Sequence, residues 1–249
     1  MRLGDWGVPT LEAKKIHELL ELNESSVMLD IGCGTGPHAR LLAPMVARYD
    51  AVDICEKKIK TAQGLPTPPV LQYHCLDAQE LPFLDDMFSH IVICHCLHEV
   101  ECIKQGKILF EAKRVLKPGG TILILDTVAE TTPFQECFDI LHCNLQFYNH
   151  LYPLLHEEWL ISKMLSEGIF VQKGCEKLDM EFSFKTIEML VEMLTDDFRY
   201  ELLFTKQKKE KVTQLLLSKL GSKNIFPPYT FLETIRIITL MPRGEKKHG

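Results

Sequence analysis

The 249-residue chain contains no run of ~20 uninterrupted apolar residues, so nothing in it reads as a bilayer-spanning helix. No apolar leader is visible either. Met1–Asp5 passes straight into polar sequence, which argues against secretion and for a cytoplasmic protein. Basic residues are in deficit: 28 Lys and Arg against 34 Asp and Glu leave a net charge of −6, the wrong sign for a surface that gathers phosphates. There is no internal repeat and no low-complexity tract. A hydrophobic fraction of 46% with 25% charged residues excludes a disordered chain, a collagen and a coiled coil. Cysteine, by contrast, is plentiful. Nine scattered cysteines do not make the disulfide framework of a short secreted chain and read as reduced thiols. The length exceeds that of an average domain of ~100–200 residues and suits a single α/β domain, 1–249, carrying an insertion.

Strand and helix patterns alternate through the first half. Thr10–Leu22 has helical apolar spacing with Thr10 placed as its cap, and Val27–Ile31 is a buried strand. A glycine-rich turn and a helix over Ala39–Val46 follow. Then come a strand at Tyr49–Ile54, a helix at Glu56–Gln63, and strands at Val70–Cys75 and His90–His95. Ile103–Leu116 predicts an amphipathic helix stopped by Lys117-Pro118-Gly119-Gly120, and Thr121–Asp126 a fifth strand. Such regular alternation implies parallel strands joined by crossovers in a doubly wound sheet. Ligands of such sheets lie outside the carboxyl ends of the strands. The second half is less regular. Thr131–Met164 is rich in aromatics (Phe134, Phe138, Phe147, Tyr148, Tyr152, Trp159) and reads as a helical lid, 131–165, over the strand ends. Strands are expected at Gly168–Phe184 and Thr230–Leu240, and helices at Lys185–Leu194 and Lys206–Leu220.

The most informative segment is Asp30-Ile31-Gly32-Cys33-Gly34-Thr35-Gly36. Glycines at alternate positions let the backbone turn sharply and approach a ligand closely. A dinucleotide turn needs a glycine at the sixth position from Gly32, where Pro37 stands, and a phosphate loop needs Gly-Lys-Ser/Thr, which is absent. Asp53, ending the second strand, can accept hydrogen bonds from both hydroxyls of a ribose. Asp77-Ala78, after the third strand, can meet an adenine amino group. Three acids on one rim (Asp30, Asp53, Asp77) suit a ligand with a hydroxylated sugar and a positive charge and suit a pyrophosphate poorly.

These residues, with Asp77-Ala78-Gln79-Glu80-Leu81-Pro82-Phe83 and Arg114-Val115-Leu116-Lys117-Pro118-Gly119-Gly120, resemble the ordered motifs of class I S-adenosylmethionine-dependent methyltransferases. The likeness is to the small-molecule branch that includes ubiquinone/menaquinone-type enzymes, and it covers residues 25–126. It implies a seven-stranded, mostly parallel sheet in the order 3-2-1-4-5-7-6, with the last strand antiparallel. It implies S-adenosyl-L-methionine as cofactor. Asp30 and Gly32, Cys33, Gly34 and Gly36 would surround the methionine moiety, Asp53 would hold the ribose, and Ile54 would pack on the adenine. Asp77 and Ala78 would meet the adenine's amino edge, and Cys94 and His95 would lie beside the methionine. Phe88-Ser89 departs from the family's usual Phe-Asp, at a position expected before the fourth strand.

Methyl transfer to a hydroxyl or a protonated amine benefits from a base, and the resemblance puts His98, in Cys94-His95-Cys96-Leu97-His98-Glu99, on the substrate side; its ordinary pKa of ~6.5 suits that role. Tyr148, His150 and Tyr152 are rival candidates, and a packed or capping His98 is the plain alternative. The cluster has neither Cys-x-x-Cys nor His-x₃–₅-His spacing, so no metal site is expected. Capture of a soft substrate such as arsenite by Cys33, Cys96, Cys137 or Cys143 stays open. The aromatic stretch would line a pocket for a small, partly apolar acceptor, or form core or a homodimer surface. The basic runs Lys206–Lys209 and Arg243–Lys247 lack interleaved aromatics, which argues against RNA methylation. A protein substrate, or a cofactor-binding module without catalysis, remains as a further alternative.

Overall fold

The computed structural model describes residues 8–127, 132–133, 136–137, 140, 155–195 and 205–243. Its frame is one seven-stranded sheet in the order β3-β2-β1-β4-β5-β7-β6. The strands are β1 (Val27–Ile31), β2 (Arg48–Asp53), β3 (Leu71–Cys75), β4 (Phe88–Cys94), β5 (Leu116–Thr127), β6 (Phe170–Phe184) and β7 (Tyr229–Pro242). Strands β1 to β5 pair in parallel; β7 lies antiparallel between β5 and β6. The order and the single reversed strand agree with the expected topology. The helices are α1 (Val8–Leu20), α2 (Pro37–Leu42), α3 (Glu56–Gln63), α4 (Cys102–Val115), α5 (Leu155–Ser166), α6 (Ile187–Thr195) and α7 (Lys206–Ser222).

The inner strands are apolar on both faces, as a sheet covered by helices on both sides requires. Leu29, Ile31, Ile91, Ile93, Ile122 and Ile124 face α4 and α5, meeting Ile108, Leu109, Ala112, Ile161 and Met164. Met28, Tyr49, Ala51, Val92, Leu123 and Leu125 face the other way, onto Ala13, Ile16, Ala39, Leu42 and Ile59 of α1 to α3. A third cluster joins α6 and α7 to the far ends of β6 and β7 through Phe184, Leu190, Leu194, Leu216 and Phe231.

Several boundaries differ from expectation, for identifiable reasons. Helix α1 begins at Val8, so Thr10 lies inside it rather than capping it; Pro9 sits in the first turn, where no backbone donor is needed. The expected helix over Ala39–Val46 is α2 followed by a 3-10 turn, Ala43–Met45, because Pro44 has no N–H to continue the helical ladder. Ser89 stands inside β4, not before it. Its Oγ accepts from Val27 N at 2.9 Å and lies 3.1 Å from Val27 O, stitching the start of β4 to the start of β1. Pairing between β4 and β5 jumps from Phe88↔Leu116 to His90↔Thr121, so Lys117–Gly120 loops out of the ladder as its Pro-Gly-Gly content predicts. No helix among the described residues is long and apolar enough to cross a membrane.

Candidate functional site

Five parallel strands, β1 to β5, deliver their carboxyl ends to one edge, and most of the polar residues singled out in the sequence gather there. The turn after β1 folds back on β2: Gly32 and Cys33 donate to Val52 O at 2.9 and 3.0 Å. Gly32 has φ 77°, and a Cβ there would run into Cys96 Sγ. Gly34 has φ 57°, and its missing Cβ would face open space. The turn is therefore packed from behind and bare in front, the form of a cradle. Gly36 caps α2 against the Tyr73 hydroxyl.

Asp53 is half-buried at the end of β2 and belongs to that cradle. Its Oδ2 accepts from Gly34 N and its Oδ1 from Cys55 N, both at 2.8 Å. Two backbone donors hold the carboxylate in place and leave lone pairs for a ligand. The next residue, Ile54, is 71% exposed, a large apolar side chain standing free beside a charged group. Asp77 is exposed after β3, accepting from Gln79 N at 2.9 Å, with Ala78 buried behind it.

Asp30 does not reach this rim. Inside β1 it is buried and accepts from the Tyr49 hydroxyl at 3.2 Å. Burial raises its pKa to about 6, against the opposing pull of His38 and Tyr49. The expectation of three acids on one surface is thus corrected to two on the rim and one a layer below, because Asp30 pairs with Ala51, two residues short of Asp53, and so lies inside the ladder rather than past its end. Cys33 and Cys94 are buried, and burial pushes both thiols well above the ordinary range; Cys96 is pushed up in the same way. Cys137 is buried in the α6/α7 cluster, away from the glycine turn. Among the described residues no three His, Cys, Asp or Glu side chains are grouped to hold a metal ion.

The two histidines after β4 are held by different carboxylates. His98 lies in a 3-10 turn, Leu97–Glu99, and its Nδ1 is 2.6 Å from Asp126 Oδ1 near the end of β5. Asp126 Oδ2 also accepts from His98 N at 3.4 Å. Gln105 of α4 is buried and donates through Nε2 to Leu97 O and Val100 O, at 2.8 and 2.9 Å, closing the turn from behind. Burial alone would lower the pKa of His98, but Asp126 and Glu99 raise it above the ordinary value. A protonated Nδ1 donating to Asp126 leaves the lone pair on Nε2, the arrangement of a base with a fixed tautomer. His95, at φ 48°, places Nε2 2.8 Å from Oε1 of Glu12 on α1.

Sequence reasoning missed Glu12, Gln105 and Asp126. Only Asp126 left a signal, as a polar residue just after Leu125 at a strand end. Tyr148, His150, Tyr152 and Cys143 lie outside the described residues, as does most of the aromatic stretch. Its last part, residues 155–165, is helix α5, with Ile161 and Met164 in the same core as α4.

Residues 29–124 match the family described as a methyltransferase domain. A demethylmenaquinone methyltransferase of Desulfitobacterium hafniense (strain Y51) is 29% identical over 154 residues, 59% of this chain and 58% of that one. A second, from Lactobacillus johnsonii (strain CNCM I-12250 / La1 / NCC 533), is 28% identical over 203 residues, 78% of this chain and 75% of that one. The first alignment spans little more than half of its relative's length. Among solved structures, a putative methyltransferase from Bacillus halodurans C-125 shares 22% identity with a TM-score of 0.66, over 92% of this chain and 98% of that one. At that identity the likeness establishes the fold.

Proposed function

We propose, for a chain that belongs to the class I S-adenosylmethionine-dependent methyltransferases, that it transfers a methyl group from S-adenosylmethionine to a small, partly apolar molecule. One observation carries the reading: the carboxylate of Asp53 is clamped by Gly34 N and Cys55 N beside an open glycine turn and the exposed Ile54. The residues fit an adenosyl ligand. Asp53 would take the ribose hydroxyls, Ile54 the adenine face, and Asp77 with Ala78 the amino edge. Gly32, Cys33, Gly34 and Gly36 would line the methionine moiety, with His95 beside it and Asp30 and Cys94 beneath. Of the expected lid, 131–165, only the part before α5 would cover the acceptor, since Ile161 and Met164 of α5 are committed to the core.

When bound, S-adenosylmethionine supplies a methyl carbon already activated by its positive sulfur. The chain's own residues must orient the acceptor, exclude water and remove a proton. Orientation can supply ~7–11 kcal/mol of the barrier. His98 Nε2 would take the acceptor's proton while Asp126 holds Nδ1–H, a contribution of ~100–10,000-fold. Against capture of a soft metalloid, the raised thiols of Cys33 and Cys96 stay protonated and are poor nucleophiles. The net charge of −6 favours a small acceptor over RNA, and a cytoplasmic setting suits the free thiols of Cys33, Cys94 and Cys96.

Calorimetry with S-adenosylhomocysteine tests the assignment. Binding is expected, with Asp53→Ala weakening it about 100-fold through lost charge-assisted hydrogen bonds. A protein that ignores this ligand yet binds NAD overturns the reading. Formation of S-adenosylhomocysteine from S-adenosylmethionine with a metabolite extract separates an enzyme from a silent binding module.

A further inference from the structure

We propose that Glu12, on the helix preceding the matched family segment, is a positioning residue of the cofactor site, orienting His38 and His95 together and seating α1 beside the glycine turn. The inference rests on the adenosyl-ligand reading above and adds a residue from outside residues 29–124.

Helix α1 turns Glu12, Ala13, Ile16 and Leu20 inward. Three of these belong in a core; a glutamate that is 1% exposed does not, since an ionised carboxylate out of water is costly unless fully paired. Glu12 is paired twice. Oε2 lies 2.6 Å from His38 Nε2 and Oε1 lies 2.8 Å from His95 Nε2, and the two rings stack with centroids 6.5 Å apart. His38 is the second residue of α2, immediately after the turn, and His95 is the residue at which the chain leaves β4. One side chain therefore ties three pieces of chain that are 26 and 83 residues apart in sequence.

The backbone adds an independent sign. His95 sits at φ 48°, a left-handed conformation that a non-glycine residue adopts at a cost and keeps when its surroundings over-determine it. Two bonds do so here: His95 N donates to Leu125 O at 2.8 Å, and the ring meets Glu12. The groups facing His95 are Glu12, Asp126, Glu99, His98 and the His38 ring; those facing Glu12 are the two histidines His38 and His95 and the Cys94 thiol. Burial opposes charge on both partners. Even so, the histidines hold the Glu12 carboxyl down to about 2, and Glu12 with Asp126 and Glu99 lifts His95 to about 9. Near neutrality the contact is a carboxylate–imidazolium pair, directional and anchored on a buried carboxylate, unlike the apolar contact that packing alone would select at this position.

The test is a double-mutant cycle read by calorimetry with S-adenosylhomocysteine and by NMR titration of the His95 imidazole in the ligand-free protein. Glu12→Gln keeps the shape and removes the charge. It is expected to weaken binding about 10-fold and to lower the His95 titration midpoint, while Glu12→Gln with His95→Gln loses no more affinity than His95→Gln alone. Unchanged affinity in Glu12→Gln, or losses that add in the double variant, overturns the proposal. If Glu12→Gln does not fold, Glu12→Met supplies the packing volume without charge; the same loss supports the proposal and wild-type affinity overturns it. Wild-type protein that binds no adenosyl ligand refutes the underlying reading instead, and a His95 midpoint unmoved by Glu12→Gln then refutes the positioning role separately.

Discussion

The two halves of the sheet are built on different terms. Strands β1 to β4 are five to seven residues long and release their chains at one edge, where Asp53, Asp77, His95 and His98 collect. The antiparallel pair β6–β7 runs 15 and 14 residues with one register shift between Gln172 and Gly174, packs against α6 and α7 at its far end, and supplies none of the candidate site residues. Parallel strands need crossovers that return the chain to the same side, so their carboxyl ends align and their first polar residues meet. An antiparallel pair has no such edge. Its contribution is burial, which makes it a test bed for separating stability from function.

The sharpest test of that division is His98→Ala. It is expected to lower turnover about 100–10,000-fold without weakening binding of S-adenosylhomocysteine. An unchanged kcat at saturating acceptor removes His98 as the base. Phe184→Ala probes the other half. Phe184 is fully buried against Phe231, and its truncation is expected to cost about 3–5 kcal/mol by urea denaturation, with the folded protein keeping its affinity for the ligand. A large loss of affinity there would show that the halves are coupled after all.

Asp126→Asn comes next, with a loss of about 10-fold in kcat and a change in pH dependence. The base is neutral His98, so turnover rises as pH passes its pKa, which Asp126 and Glu99 hold above the ordinary value of ~6.5. Removing the Asp126 charge shifts that rise to lower pH; a profile that stays put breaks the dyad. In the linked stability, the raised pKa of His98 contributes below pH ~6.5 and is lost as pH climbs through the folded value. The smallest effect is expected of Asp77→Ala, about 3–10-fold weaker S-adenosylhomocysteine by calorimetry, because Asp77 is exposed and its hydrogen bonds compete with water.

Much of the fold was legible before any coordinates. The strand at 27–31, the strand expected over 70–75 and found at 71–75, and the helix at 56–63 follow from short apolar runs and their punctuation, and the Pro-Gly-Gly loop after α4 appears where its residues demand it. Asp53 and Ile54 were legible because they end a strand next to a glycine turn. Glu12 was not. In a helical pattern it reads as one more solvated acid beside Thr10 and Lys14, and only the docking of α1 shows that its face is inward. Gln105 was hidden for the same reason, and Asp126 showed only as a polar strand end: their partners, the 97–100 backbone and His98, come from other elements. Asp30 was misplaced because proximity in sequence to the turn does not show how deep in the ladder it sits: it pairs with Ala51, short of the strand end that carries Asp53.

The order of apolar runs, glycines and strand-ending acids was enough to establish a parallel α/β sheet, its open edge and the turn that serves it, because these depend on periodicity and backbone freedom within short stretches of chain. Which carboxylate holds which histidine was settled by packing. Pairings such as Glu12 with His95 and Asp126 with His98 join residues 83 and 28 positions apart, and they exist only once packing has buried the two carboxylates and left the partly exposed histidines as their best available counter-charges.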